Sequence, residues 1–82
     1  MYTVYILYTA KLDRYYIGST GDTMEERLRK HCSDHKGYTG RANDWQIVFT
    51  EEHETHTAAL KRERAIKNWK SRSRIEALIN KN

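Results

Sequence analysis

The chain has 82 residues, of which 38% are hydrophobic and 32% are charged, and Cys32 is its only cysteine. This length fits one domain over residues 1–82, and a single thiol excludes an internal disulfide or a cysteine-based zinc cluster. The first residues lack the pattern of a signal peptide, so we expect none, and no apolar segment is long enough to span a membrane. We therefore expect the whole chain to be the mature protein and to be cytoplasmic.

The charge is basic and unevenly distributed. Fifteen Lys and Arg against eleven Asp and Glu give a formal net charge of +4. Residues 61–81 alone contain eight basic and two acidic side chains, a net +6. A basic surface of this kind attracts polyanions such as nucleic acid, although a solvated helix face has a similar composition.

The first half of the chain predicts a β-hairpin followed by a helix. Residues 2–8 and 15–17 are rich in β-branched and aromatic side chains and are separated by a short polar stretch, as in paired strands. Residues 18–21 contain two glycines, which we expect to end the second strand. A helix over about residues 23–35 follows, with Asp22 or Thr23 as its N-cap.

The second half predicts a loop, a third strand and two helices. Residues 36–44 are rich in turn-forming side chains, and residues 45–50 are predicted as the third strand. The polar run 51–56 leads to a helix over about residues 57–70, and a short last helix begins near Ser73. The sequence thus favours an α+β fold with a three-stranded sheet and three or so helices.

Glu63 occupies an unusual position on the first of these C-terminal helices. Its neighbours one turn away are Ala59 and Ile66, so the carboxylate leaves the helix at the edge of the apolar stripe. An unpaired charge there is costly, so the carboxylate needs a partner or a bound cation. One interpretation is an ordinary helical ion pair with Lys67, worth about 0.3–0.5 kcal/mol, and the other is a metal ligand.

Arg27, His31, Tyr5 and Tyr16 are further candidates for a site. Arg27 and His31 are four residues apart and lie on one face of the predicted helix. Tyr5 points to the opposite side of its strand from its two neighbours, and the hairpin can bring it near Tyr16. Surface exposure explains the first pair equally well, and packing on the sheet explains each tyrosine.

In combination these residues resemble the GIY-YIG nuclease family. Thr3-Val4-Tyr5 stands where the family has Gly-Ile-Tyr, and Tyr16-Ile17-Gly18 reproduces the Tyr-Ile-Gly half. Arg27 and His31 match the family's helix, and Glu63 matches its metal-binding glutamate. The brevity of the chain resembles the small stand-alone bacterial members, which are related to the nuclease domain of the excision-repair nuclease.

The resemblance implies a small three-stranded antiparallel sheet flanked by helices and a metal-dependent DNA endonuclease. Glu63 would bind Mg²⁺ or Mn²⁺, and Arg27 would contact the scissile phosphate. Tyr5 would act as the general base, with Tyr16 and His31 positioning or relaying the proton; whether Tyr5 or Tyr16 is the base stays open. Because the ordinary pKa of tyrosine is about 10, we expect cationic neighbours that favour the phenolate.

DNA recognition is expected to rely on phosphate contacts, which carry little sequence information. The basic candidates lie in the loop and along the C-terminal strip: Lys36, Arg41, Lys61, Lys67, Lys70 and Arg74. We expect low sequence specificity and a role in DNA repair or recombination. Stacking of bases on Tyr38 or Trp69 would favour single-stranded or branched DNA.

An alternative function is a nucleic-acid-binding or adaptor module of the same fold, with weak or lost cleavage. Several family nucleases have an asparagine about a dozen residues after the glutamate, and this chain has Ile75 there. The presence of Tyr5, Tyr16, Arg27 and Glu63 favours the enzyme.

Overall fold

A computed structural model describes residues 1–32 and 44–81, with side chains given for residues 1–29 and 44–81. The elements in chain order are β1 (Tyr2–Thr9), β2 (Arg14–Thr20), α1 (Met24–Cys32), β3 (Gln46–His53), α2 (His56–Asn68) and α3 (Arg72–Asn80). They form the predicted α+β fold. No helix among the described residues has the length and hydrophobicity needed to cross a bilayer.

The three strands form one antiparallel sheet in the order β2-β1-β3. The central strand β1 is buried without interruption from Val4 to Leu7, because helices cover both faces of the sheet and each alternating side chain enters a core. The pairing of β1 with β3 shifts register between Ile6 and Leu7, as at a β-bulge. The predicted three-stranded antiparallel sheet is confirmed.

Two predicted strand boundaries were wrong. Strand β2 does not end at Gly18 but continues through Ser19 to Thr20, each paired with a residue of β1. Strand β3 continues through the polar residues 51–53, because an edge strand can direct alternate side chains to solvent. The predicted loop over residues 36–44 and the end of the first helix at residue 35 fall largely outside the described residues.

The sheet separates two cores. Helices α2 and α3 pack on the face that carries Val4, Ile6, Ile17 and Phe49. Helix α1 packs through Met24 and Leu28 on the opposite face, against the second cluster, which consists of Tyr5, Leu7 and Trp45. Burial of each large apolar side chain contributes about 1.5–3 kcal/mol. The predicted orientation of Tyr5, opposite to its neighbours in β1, is confirmed.

Hydroxyl side chains cap all three helices. Thr23, not Asp22, caps α1, since its Oγ1 accepts a hydrogen bond from the Glu26 amide at 3.3 Å. Thr55 accepts from the Ala58 amide at 3.1 Å at the start of α2. Ser71 accepts from the Arg74 amide at 3.4 Å at the start of α3. Each cap contributes about 1 kcal/mol.

Arg72 connects α3 to the turn between β1 and β2 through hydrogen bonds. Its guanidinium donates to the Asp13 carboxylate at 2.6 Å and to the Asp13 carbonyl at 3.1 Å, and it lies 5.2 Å from the centroid of the Tyr15 ring. Asp13 has a φ of 54°, a left-handed conformation that aspartate tolerates better than most residues. Hydrogen bonds from Arg72 and Tyr8 lower the pKa of Asp13.

We predict that Arg72→Ala lowers Tm at neutral pH and that this loss shrinks in acid. A carboxyl whose folded pKa is depressed contributes stability above its unfolded pKa of about 3.9, and the contribution disappears as pH falls through the folded pKa. Thermal unfolding of wild type and variant near pH 7 and near pH 3 measures the difference. The matched control is Arg29→Ala, which removes an exposed pair with Glu26 and should change Tm little. An equal loss of Tm at both pH values would contradict the role of Asp13.

Candidate functional site

The site is built around the contact between Tyr5 and Gly18. These two residues are directly opposite each other in the β1–β2 pairing, and Tyr5 is 0% exposed. A Cβ placed on Gly18 would lie 2.5 Å from the Tyr5 Oη and 2.7 Å from its Cζ. The phenol therefore occupies the space that any side chain at position 18 would need. The glycine of the Tyr16-Ile17-Gly18 motif is a packing requirement of Tyr5.

Arg27 reaches the Tyr5 hydroxyl from α1. Its Nε donates a hydrogen bond to the Tyr5 Oη at 3.1 Å, and this contact raises the pKa of Arg27. Burial raises the pKa of the Tyr5 phenol, and the Arg27 guanidinium offsets only part of that rise. Arg27 thus favours the Tyr5 phenolate, as expected of a cationic neighbour, but desolvation outweighs its charge and the pKa of Tyr5 stays raised.

Tyr16 lies beside Tyr5 on the same face of the sheet. It pairs with Leu7 across the two strands, so both side chains point to the α1 side. The ring centroids of Tyr16 and Tyr5 are 6.4 Å apart, and the edge of Trp45 contacts Tyr16 with centroids 6.3 Å apart. Tyr16 is only half-buried. Of the two tyrosines, Tyr16 alone keeps contact with solvent.

Glu63 approaches β2 from the opposite face. Its Oε1 accepts a hydrogen bond from the Ser19 Oγ at 2.6 Å, and Ser19 shares the α2 side of the sheet with its cross-strand partner Val4. Its Oε2 accepts from the Lys67 Nζ at 2.6 Å. Burial opposes ionisation of Glu63, but the bonds from Lys67 and Ser19 outweigh it and lower the pKa.

Glu63 is electrostatically coupled to the tyrosine side of the site. Its negative charge is one of the factors that raise the pKa of Tyr5, although the two side chains lie on different faces of β2. At this point of β2, Gly18 has no side chain, and the next residue, Ser19, donates a hydrogen bond to Glu63. Tyr5, Tyr16, Arg27 and Glu63 are thus assembled around one short segment of an edge strand.

Both interpretations of Glu63 find support in its surroundings. The helical ion pair with Lys67 is present. Among the described residues, no group of three or more His, Cys, Asp or Glu side chains could hold a metal ion. Mg²⁺, however, keeps several waters and needs only one or two protein carboxylates. Glu63 fits such an ion as a single oxygen ligand, provided that Lys67, whose side chain is 49% exposed, moves away from Oε2.

Most of the other predicted site residues have side chains outside the described part of the molecule. His31 lies in α1, but its side chain is outside the described part of the molecule. Lys36, Tyr38 and Arg41 are outside it entirely. Lys70 is exposed just after α2, with a φ of 49°. Their roles stay predictions. Sequence reasoning missed Ser19, because the residues after Ile17 were assigned to a turn.

Comparison with known families identifies the domain. The model of the GIY-YIG catalytic domain matches residues 1–76, nearly the whole chain. The chain belongs to the GIY-YIG family. GIY-YIG proteins are nucleases that generally use divalent metal ions. Membership of the family therefore implies a nucleic-acid substrate. Neither a curated protein nor a solved structure matches the chain.

We predict that Gly18→Ala destabilises the domain by about 1–3 kcal/mol, the usual cost of overpacking a core. The new methyl group displaces the Tyr5 phenol, which is fully buried, and breaks its hydrogen bond with Arg27. Urea denaturation monitored by circular dichroism measures the loss. Gly21→Ala is the matched control, because its Cβ comes no closer than 3.2 Å to the Tyr2 ring at an exposed position. Equal stability of the two variants would show that the Tyr5–Gly18 contact is not constraining.

Proposed function

We propose that this GIY-YIG domain is a divalent-metal-dependent endonuclease that hydrolyses DNA phosphodiester bonds with low sequence specificity in repair or recombination. The observation that carries the proposal is the grouping of the Arg27–Tyr5 pair and the Glu63 carboxylate around Gly18 and Ser19. Phosphodiester hydrolysis needs an activated water and positive charge at the phosphoryl oxygens. This grouping offers both.

Arg27 is the proposed phosphate ligand. Its Nε is committed to Tyr5, which fixes the plane of the guanidinium. In the described part of the structure no carboxylate forms an ion pair with its two terminal nitrogens. A planar guanidinium held in this way can bind two phosphate oxygens at once.

Tyr16 is the better candidate for the group that accepts a proton from water. Tyr5 is fully buried and its pKa is raised, so its hydroxyl is poorly placed for water and for ionisation. Tyr16 is half-buried and adjacent. We therefore assign Tyr5 to the positioning of Arg27 and Tyr16 to proton transfer, with His31 as a further relay.

Glu63 is the proposed ligand of Mg²⁺ or Mn²⁺. When bound there, the ion would supply positive charge to the phosphoryl oxygens and acidify a coordinated water. For Glu63 to accept it, the Lys67 ammonium has to leave Oε2, and the released ammonium then becomes available to a DNA phosphate. Lys70 follows just after the same helix, and Lys36 and Arg41 complete the proposed DNA contacts.

The alternative function, a DNA-binding or adaptor module, is favoured by two observations. The Glu63 charge is already balanced by Lys67 without any metal. Ile75, which replaces the family's asparagine, packs against the apolar cluster between the sheet and α2 and offers no polar group to substrate. A cleavage assay separates the two functions.

We predict that the wild-type protein cuts DNA in Mg²⁺ or Mn²⁺ and that Glu63→Gln and Arg27→Ala each slow cleavage by about 10²-fold or more. Single-stranded, duplex and branched substrates are compared under single-turnover conditions, and circular dichroism verifies folding. Tyr16→Phe should reduce the rate more than Tyr5→Phe, since Tyr16 is the proposed proton acceptor and Tyr5 is assigned to the positioning of Arg27. Binding without cleavage by the wild type, or full activity of Glu63→Gln, would favour the binding module.

We also predict that Lys67→Gln strengthens Mn²⁺ binding to the protein about two- to fivefold, because the ion no longer competes with a half-exposed ion pair worth less than about 1 kcal/mol. Electron paramagnetic resonance of free Mn²⁺ measures the affinity without DNA. Lys61→Gln removes the same charge from an exposed position of α2 and should change the affinity little. If the two substitutions act equally, Lys67 does not compete at Glu63.

A further inference from the structure

A second basic feature lies away from the catalytic grouping, in a groove between α2 and α3. Its cavity of about 510 Å³ is lined by Arg62, Trp69, Arg74, Ala77, Leu78 and Lys81. Arg62 and Glu63 are consecutive, yet Arg62 bonds to Glu51 of β3 and Glu63 bonds to Ser19 of β2. The groove therefore opens on the flank of α2 opposite the candidate metal ligand.

The cations of this groove differ in how they are held. The Arg62 Nε is 3.0 Å from the Glu51 Oε1, so its charge is balanced. Arg74 lies over the Trp69 ring with its Cζ 4.6 Å from the centroid, a cation–π contact that restrains the guanidinium. Among the described residues, no carboxylate pairs with Arg74 or with Lys81. These two cations remain available to an anionic ligand.

The floor of the groove is apolar. Trp69 is half-buried and packs against the main core cluster, and Ala77 and Leu78 lie beside it. The volume is within the range of small-molecule pockets, about 300–1,000 Å³. An apolar floor next to two uncompensated cations complements a flat base joined to phosphates. A base in a duplex is stacked and cannot enter such a groove, whereas an unpaired base can.

We propose that the α2–α3 groove binds a single-stranded segment of nucleic acid, with a base on its apolar floor and backbone phosphates at Arg74 and Lys81. The choice of nucleic acid as ligand rests on the proposed function, but binding in the groove does not require cleavage. The groove then favours substrates that contain an unpaired strand.

The test is a fluorescence titration without metal, using an oligothymidine of about twelve nucleotides, a blunt duplex of equal length and heparin. The chain has two tryptophans, and Trp69→Phe assigns the quenching to the groove. Arg74→Ala with Lys81→Ala is compared with Lys11→Ala with Arg14→Ala, an equal charge loss at exposed positions. At about 0.1 M salt, loss of two phosphate contacts should weaken oligothymidine binding roughly 25-fold and reduce the salt slope by about 1.4.

Three results would overturn the proposal. The Lys11→Ala and Arg14→Ala double variant could bind as weakly as the Arg74→Ala and Lys81→Ala double variant, which would indicate only general electrostatic attraction. Duplex or heparin could quench Trp69 with the same affinity as oligothymidine, which would reduce the groove to an unselective basic patch. Oligothymidine could bind without quenching Trp69. The proposed nuclease fails independently, since a wild-type protein that binds oligothymidine in the groove but cuts no DNA would contradict the nuclease alone.

Discussion

The contact between Tyr5 and Gly18 is the constraint on which the rest of the site depends. The phenol can lie across β2 only because position 18 has no side chain, and in that place its hydroxyl receives the Arg27 Nε. Since consecutive residues of a strand point to opposite faces, the next residue, Ser19, faces α2 and holds Glu63. Gly18 thereby fixes the position of the cationic half of the site, Arg27, through Tyr5. The neighbouring Ser19 fixes the anionic half, Glu63.

The charge of Glu63 is compensated within its own half of the site. Glu63 stays ionised in a largely buried position, with its side chain 16% exposed, because Ser19 and Lys67 both donate to it. Removal of one partner from a buried charge generally costs more than the pair gains on forming, so Lys67 stabilises the domain and also occupies the carboxylate. In the proposed function, whether this chain cleaves or only binds DNA depends on how readily a divalent cation replaces that ammonium.

Much of this arrangement could be predicted from local sequence patterns. Alternation in residues 2–8 correctly placed Tyr5 opposite its neighbours, and the position of Glu63 on its helix correctly indicated a need for a positive partner. The continuation of β2 through Gly18 could not be predicted, because a glycine ends a strand unless a cross-strand side chain fills its place. The raised pKa of Tyr5 was missed for a similar reason, since burial depends on α1 covering that face.

Helix α2 joins the two proposed binding surfaces. Residues that follow one another in a helix are separated by about 100°, so Glu63 and Arg62 belong to opposite flanks, fixed by Ser19 on one strand and Glu51 on another. Ile66, fully buried between these flanks, sets the rotation of the helix about its axis. A change in the packing of Ile66 would rotate both flanks together, so the candidate metal ligand and the basic groove would be displaced by the same movement.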